Sequence, residues 1–425
     1  MGLWGPAKSS NSMRHYTLRA RCAFSLCLFF ALAVGSTWAC TTAVVSAKAS
    51  KSGRAMLWKL RDTDSLRNRV KFFADGRYAY IGLVNCDSSA QRMVWAGCNA
   101  AGFAIMNSAS FNTNPGDTTK FADQEGIVMK QALMQCRTLA DFEALLLARP
   151  RPWGLNANFG VVDAEGGAAY YETDNYHFVK YDVNDPAVAP KGYLVRTNFS
   201  EMGTPNVGYG FIRRQTAEDI LAQAASQGKL SLELFTDRLP HDLSNALTGD
   251  SYNQTLPTKA AGYMVNASDF ICRYGSASNA VIESVGPGEA PSRTTLWCAI
   301  AFPLTCVHVP AWPLDAATLP QQITSPSDGL EAPLGHAALQ LMRRVYPITR
   351  GSGLRYMDLA VYRNSLNGGL EPQRKALDGQ IRTKALEMMA QWGAASPDRK
   401  HLHAFNAWLD QALARGYRAM LGSHD

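Results

Sequence analysis

The sequence predicts an α+β fold. Three observations point to it: two blocks of short β-rich segments at residues 42–110 and 156–198, a stretch with helical spacing between them, and a mainly helical tail from Gly335. Strands gathered in blocks, with helices between and after them, bury their apolar faces as packed layers. No internal repeat or low-complexity segment interrupts the pattern.

Residues 42–49 and 55–60 read as strands flanking Lys51-Ser52-Gly53, a hairpin signal. Asp75-Gly76, between "VKFFA" and "RYAYIGLV", reads as a second hairpin turn with glycine supplying a positive φ. "RMVWAG" and "GFAIMNSAS" follow as strands joined by "CNAA". Residues 124–148 carry apolar side chains at helical spacing and stop before Pro150, which gives one or two helices. Strands return in "NFGVVDAEGGAAYYETDNYHFVKYDV" and "GYLVRTN", then helices at 210–225 and 230–239, then the strands "AVIESV" and "TTLWCAIAF". In the tail, Ser396-Pro397-Asp398 starts a helix with proline in the first turn. Leu402, Phe405, Leu409 and Ala412 then share one face of it.

The first 39 residues read differently. Lys8, Arg14, Arg19 and Arg21 precede an apolar run from Ala23 to Gly35, too short to span a bilayer and of signal-peptide length. Thr37 and Ala39 are small residues before a cut that would leave Cys40 first; starting at Met13 would still make a normal leader. An exported protein, periplasmic or secreted, is the expectation, with no later stretch of transmembrane length. A lipoprotein signal also ends at a cysteine, but Thr37 and Trp38 depart from its usual aliphatic and small residues.

Taking the four basic leader residues from the 42 in the chain leaves 38 basic against 35 acidic side chains, so the formal charge of +7 is largely the leader's. Without a basic run, nucleic acid is not an expected partner. Beyond Cys22 and Cys27 of the leader, seven cysteines remain: Cys40, Cys86, Cys98, Cys136, Cys272, Cys298 and Cys306. In an oxidising compartment six can pair, and at least one disulfide is expected, with Cys40 the odd thiol. No C-x-x-C pair or Cys/His ladder suggests zinc, and no Walker loop, G-x-S-x-G or H-E-x-x-H is present, so no cofactor or metal is expected. "HLH" at 401–403 reads as solvated helix surface. Asn198, Asn253 and Asn266 sit in formal glycosylation triplets, near chance for this length.

A cysteine at the first position carries a thiol and a free α-amino group. The amine has a reference pKa of roughly 7.7–8.0 and is partly neutral at neutral pH, so nucleophile and base share one residue. Such a site needs a cation to favour the thiolate, a carboxylate to orient the amine and amide donors for the oxyanion. "LRDTD" offers Arg61 and Asp64 downstream; strand alternation puts them on opposite faces unless a turn or bulge intervenes near Asp62. Asn198, ending the strand in "YLVRTNFS", offers an amide.

Together these motifs resemble the linear-amide amidohydrolases of the N-terminal nucleophile superfamily. That group comprises penicillin V acylase, bile salt hydrolase and the acyl-coenzyme A:6-aminopenicillanic acid acyltransferase-like (peptidase C45-like) proteins. "NAAGFAIMNSAS", "VRTNFS" and "GFIRRQTAEDIL" look closest to the last of these. The resemblance covers residues 40 to about 310 and implies a four-layer αββα sandwich, here with a helical C-terminal extension. It implies Cys40 as nucleophile, Arg61 and Asp64 as the residues that position and tune it, and Asn198 as an oxyanion donor. Arg213 matches the later arginine of the motif, with Arg214 adjacent, and Asn107 is the second oxyanion candidate, offset in spacing from the bile salt hydrolase pattern.

The expected organisation is a signal peptide at 1–39, an amidohydrolase domain at 40–334, and a helical region at 335–425 packed on it. The expected activity is cleavage of a small-molecule linear amide through a thioester: an N-acyl amine, β-lactam side-chain, bile-salt, acyl-homoserine-lactone or dipeptide-like amide. Acyl transfer to another amine is a close variant, and a non-catalytic exported binding protein or lipoprotein is the reading from another class. The sequence leaves monomer or homo-oligomer open.

Overall fold

The computed structural model describes residues 1–2, 39–325, 327 and 329–422. All but the ends of the predicted leader, and both of its cysteines, lie outside the described residues. The described residues from Ala39 onward form one compact unit. It is a mixed α/β structure built on antiparallel sheets.

One sheet has six strands: β1 (Cys40–Val45), β2 (Met56–Asp62), β10 (Tyr193–Arg196), β12 (Ser276–Glu283), β13 (Thr295–Ala299) and β14 (Val309–Ala311). They lie side by side in the order β10-β1-β2-β12-β13-β14. The second sheet has seven strands in simple sequence order: β3 (Asn68–Phe73), β4 (Tyr80–Asn85), β5 (Ala96–Asn99), β6 (Ala104–Ala109), β7 (Ala157–Val162), β8 (Ala168–Thr173) and β9 (Phe178–Asp182). A two-stranded ribbon pairs β11 (Met264–Asn266) with β15 (Tyr356–Asp358). The longer helices are α1 (Glu125–Gln135), α2 (Leu139–Ala148), α3 (Phe211–Ser226), α4 (Pro333–Val345), α5 (Glu371–Gln391) and α6 (Arg399–Leu421).

The period-2 alternation of the strands decides which core each residue enters. In the seven-stranded sheet Ile105, Phe159, Val161, Ala169 and Tyr171 join the apolar side chains of α1 and α2 in one core. Their neighbours Ala104, Met106, Val162, Ala168 and Tyr170 face the other way, into a core shared with Val44, Leu57 and Trp297 of the six-stranded sheet. That second core continues through Leu341, Ile381 and Leu409, so the C-terminal helices are built into the same apolar body. On α6, the expected face of Leu402, Phe405, Leu409 and Ala412 is buried.

Local details differ from the sequence reading for physical reasons. Gly76 has no positive φ; a Cβ there would come within 2.6 Å of the Met134 Cα, so glycine admits α1. The cap of α6 is Asp398, whose carboxylate accepts the His401 N–H, and Pro397 lies just before it. Residues 230–239 form an irregular turn with a π segment at Leu234–Arg238 instead of a regular helix. The expected disulfide is absent: the seven cysteines from Cys40 to Cys306 are free and buried. Burial pushes the thiol of Cys136 up to about 12, and that of Cys306 likewise to about 12, as expected of apolar core residues.

Candidate active site

Cys40 opens β1 between two strands. On one side Cys40 faces Arg61 directly in the β1–β2 ladder, and Thr42 faces Lys59. Directly opposed residues share a face. Cys40, Arg61 and Lys59 therefore project together, which puts two buried cations beside the thiol. β2 reads Met56-Leu-Trp-Lys-Leu-Arg-Asp62 and is buried throughout, so its three charged side chains are costly unless partnered.

Each has partners. Arg61 donates through Nη1 to Asn68 Oδ1 at 2.7 Å and lies 4.5 Å from the centre of the Trp95 ring. Burial lowers its pKa to about 10, against the pull of a negative Cys40. Lys59 donates through Nζ to Asn107 Oδ1 at 2.6 Å and to the Trp95 carbonyl at 2.8 Å. Burial lowers it to about 7, again opposed by Cys40. Asp62 accepts Ser276 Oγ at 2.6 Å and Arg273 Nε at 2.9 Å. The expected irregularity near Asp62 is a register shift on β12, where Ser276 pairs with Asp62 and Ser278 with Arg61.

On the other side of β1 the chain leaves β10 and reaches Asn198, which forms an isolated bridge with Tyr209. The Cys40 N–H donates to Asn198 Oδ1 at 3.0 Å. The same oxygen accepts Arg213 Nη2 at 2.9 Å, while Asn198 Nδ2 donates to the Ala109 carbonyl at 3.0 Å. A guanidinium only donates and a carbonyl only accepts, so these two contacts fix which end of the amide meets Cys40. Arg213 also donates through Nη1 to the Cys40 carbonyl at 2.8 Å and to Thr41 Oγ1 at 2.7 Å. It sits in the first turn of α3, where Gly210 takes a φ of 86°; a Cβ there would come within 2.3 Å of Arg213 Nη2. Burial lowers Arg213 to about 10, with nearby Arg273 adding to the effect.

The structure therefore brings Cys40, Arg61, Asn198, Arg213 and Asn107 into one hydrogen-bonded and ion-rich neighbourhood. It does not bring Asp64 into it. β2 ends at Asp62, and Asp64 is exposed on the loop beyond it. The buried carboxylate next to Arg61 is Asp62, whose backbone N–H also donates to the Ala39 carbonyl at 2.8 Å. Arg214 points elsewhere, to Glu201 and Glu218. Two residues escaped sequence reasoning, Lys59 and Asp62. The signal for Lys59 was a lone charge two residues before Arg61 in an apolar strand, which strand alternation places on the same face.

Chemically, the neighbourhood holds a thiol among three cationic side chains and fixes the nitrogen of the same residue. Asn107 has its oxygen occupied by Lys59, so its NH₂ is the end left to donate. Asn198 is fully buried, which removes its triplet as a glycosylation site.

No protein-family model and no curated protein matches the chain. Among solved structures it is similar to a Caenorhabditis elegans ortholog of N-acylethanolamine-hydrolyzing acid amidase, with 17% identity and a TM-score of 0.33 over 46% of this chain and 88% of that one. It is also similar to a mutant conjugated bile acid hydrolase from Clostridium perfringens, with 11% identity and a TM-score of 0.36 over 61% and 88% of the two chains. Penicillin V acylase from Agrobacterium tumefaciens gives 11% identity and a TM-score of 0.35 over 64% and 86%. By name these similar structures are an acid amidase, a bile acid hydrolase and a penicillin acylase.

Proposed function

We propose that this chain is an exported cysteine amidohydrolase of N-terminal nucleophile type, on a four-layer αββα framework, with Cys40 as its first residue after leader removal. The observation that carries the proposal is the double hold on Cys40: its nitrogen on Asn198 Oδ1 at 3.0 Å, and its carbonyl on Arg213 at 2.8 Å.

In this reading the free α-amine of Cys40 takes the thiol proton as sulfur attacks the amide carbonyl carbon. Arg61 and Lys59 favour the thiolate. Asn107 donates to the developing oxyanion, and the Asp62 N–H, released from its Ala39 acceptor by the cut, is a further donor. The C–N bond then breaks, the amine of Cys40 returns its proton to the leaving nitrogen, and the acyl group remains as a thioester. Water completes hydrolysis; an amine acceptor in its place would give acyl transfer.

Replacing Cys40 by serine tests this. An alkoxide is much harder to form than a thiolate at neutral pH, so turnover of N-acyl amides should be nearly abolished with the fold intact. Turnover near that of the wild type by Cys40→Ser would remove Cys40 as nucleophile.

A further inference from the structure

We infer that Asn158 is a positioning residue for the reaction, setting where Asn198 meets the nitrogen of Cys40; this rests on the amidase reading above. Asn158 lies in β7 of the seven-stranded sheet, directly opposite Ser108 of β6, and is 0% exposed. Asn198 comes from the edge of the other sheet, just past the end of β10 at Arg196. The ladder of β1 with β10 reaches no further than Thr42–Arg196. Past that point the carbonyls on either side of Asn198 are met by Asn158, whose Nδ2 donates to the Thr197 carbonyl at 3.3 Å and to the Phe199 carbonyl at 3.2 Å. One side-chain amide thus brackets Asn198 from both sides. Two carbonyls can only accept, so they fix which end of Asn158 points at them. The other end is held as well: Oδ1 accepts Ser200 Oγ at 2.6 Å. Nδ2 is also shared with Ser108 Oγ at 3.1 Å, which anchors the bracket on β6.

The bracket is braced in turn. Ser200 Oγ lies 2.8 Å from Ser110 Oγ. Asn112 Oδ1 accepts Ser110 Oγ at 2.9 Å and the Ser200 N–H at 2.8 Å, and its Nδ2 donates to the carbonyls of Ser200 and Thr204 at 3.0 Å each. Ser110, Asn112, Asn158 and Ser200 are all buried, where unpaired polar groups are costly and a satisfied network holds one arrangement rigidly. Arg213 and the Ala109 carbonyl hold the two ends of the Asn198 side chain. Asn158 holds the backbone on which that side chain is mounted, and so sets the point from which Oδ1 reaches the Cys40 nitrogen at 3.0 Å. Misplacing a catalytic group by about 1 Å can cost on the order of 10²-fold in rate, so this backbone hold belongs to the site.

A double-mutant cycle on any hydrolysed amide tests this. Asn158→Ala should lower kcat by about tenfold and change KM by less than about twofold, because the geometry at the Cys40 nitrogen is disturbed and the substrate's own contacts are not. Added to Asn198→Ala, the same substitution should cost less than about twofold in kcat, since the residue it acts through is gone. A merely structural role would lower the urea midpoint and leave kcat alone. A folded Asn158→Ala with kcat within about twofold of the wild type, a loss confined to KM, or a tenfold loss that persists beside Asn198→Ala would overturn the inference and leave the amidase reading standing. Where Asn158→Ala does not fold, Ser200→Ala removes only the hydroxyl that pins Asn158 Oδ1. It should lower kcat by about threefold, and again not beside Asn198→Ala; no loss, or one that persists there, overturns the inference. If the wild type turns over no amide, the amidase reading fails, and crystal structures of the wild type and the variant decide the hold of Asn158 on Asn198 separately. Asn198 Oδ1 drawn away from the Cys40 nitrogen by about 1 Å or more supports it, and a smaller shift overturns it.

Discussion

The nitrogen of Cys40 and the side-chain oxygen of Asn198 lie 3.0 Å apart, 158 residues distant in sequence. β1 and β10 pair from Thr42–Arg196 to Val45–Tyr193, and this ladder carries the chain on to Asn198 at the level of Cys40. The nitrogen is met by an amide, while the buried carboxylate of Asp62, beside Arg61 in β2, is committed to Arg273 and Ser276.

Asn198→Ala should therefore lower kcat/KM by about 10²–10³-fold, comparable to the loss of one preorganised polar contact in other acyl-transfer sites. Steady-state kinetics on any hydrolysed amide, with circular dichroism to check the fold, measures it. A change below threefold in a folded variant would mean that Asn198 only closes the end of β10.

Lys59 should act through its hold on Asn107, whose Oδ1 accepts from Lys59 Nζ at 2.6 Å. Lys59→Met should lower kcat/KM by about tenfold or more, because the amide that donates to the oxyanion loses its orientation. Steady-state kinetics with circular dichroism checks it, and a change below about twofold in a folded variant would mean that Asn107 holds its place without Lys59.

Glu172 and Arg196 form a buried pair at 2.6 Å, 0% and 3% exposed, beneath the β10 end that presents Asn198. Glu172→Gln leaves the arginine without its counter-charge and should cost about 3–5 kcal/mol in urea unfolding, most of it recovered when Arg196→Met is added. A single-variant cost under 1 kcal/mol would contradict the pairing.

Much of this architecture was legible in the sequence. The strand blocks and α1–α3 announced themselves by periodicity. Asn198 was read as the polar end of an apolar strand and Arg213 entered through the family resemblance; the fold sets both against Cys40. Asp64 was misplaced because R-x-x-D spacing does not say where a strand ends; β2 continues to Asp62 and leaves Asp64 outside. The cysteines were misread because pairing depends on Cα separation and direction, which spacing in the chain does not carry.

Glu125 gives a pH signature. Burial at the start of α1 raises its carboxyl to about 7, despite the hydrogen bond from the Asn156 N–H. The folded state then holds a proton that the unfolded state releases, so stability falls as pH rises from about 4.5 through 7. Glu125→Gln should gain on the order of 3 kcal/mol over the wild type at pH 8 and little at pH 4. Denaturant midpoints at the two pH values check this, and equal differences at both would place the carboxylate in water.

The central claim is that Cys40, once first in the chain, is the acylated residue. Mass spectrometry after rapid acid quench with an activated acyl donor tests it most directly, comparing protein that begins at Cys40 with protein that retains the leader. An acyl mass on the Cys40 peptide, removed by hydroxylamine and missing from the leader-bearing form, is the predicted result. Acylation of another residue, or equal labelling of Cys40 in both forms, would contradict it.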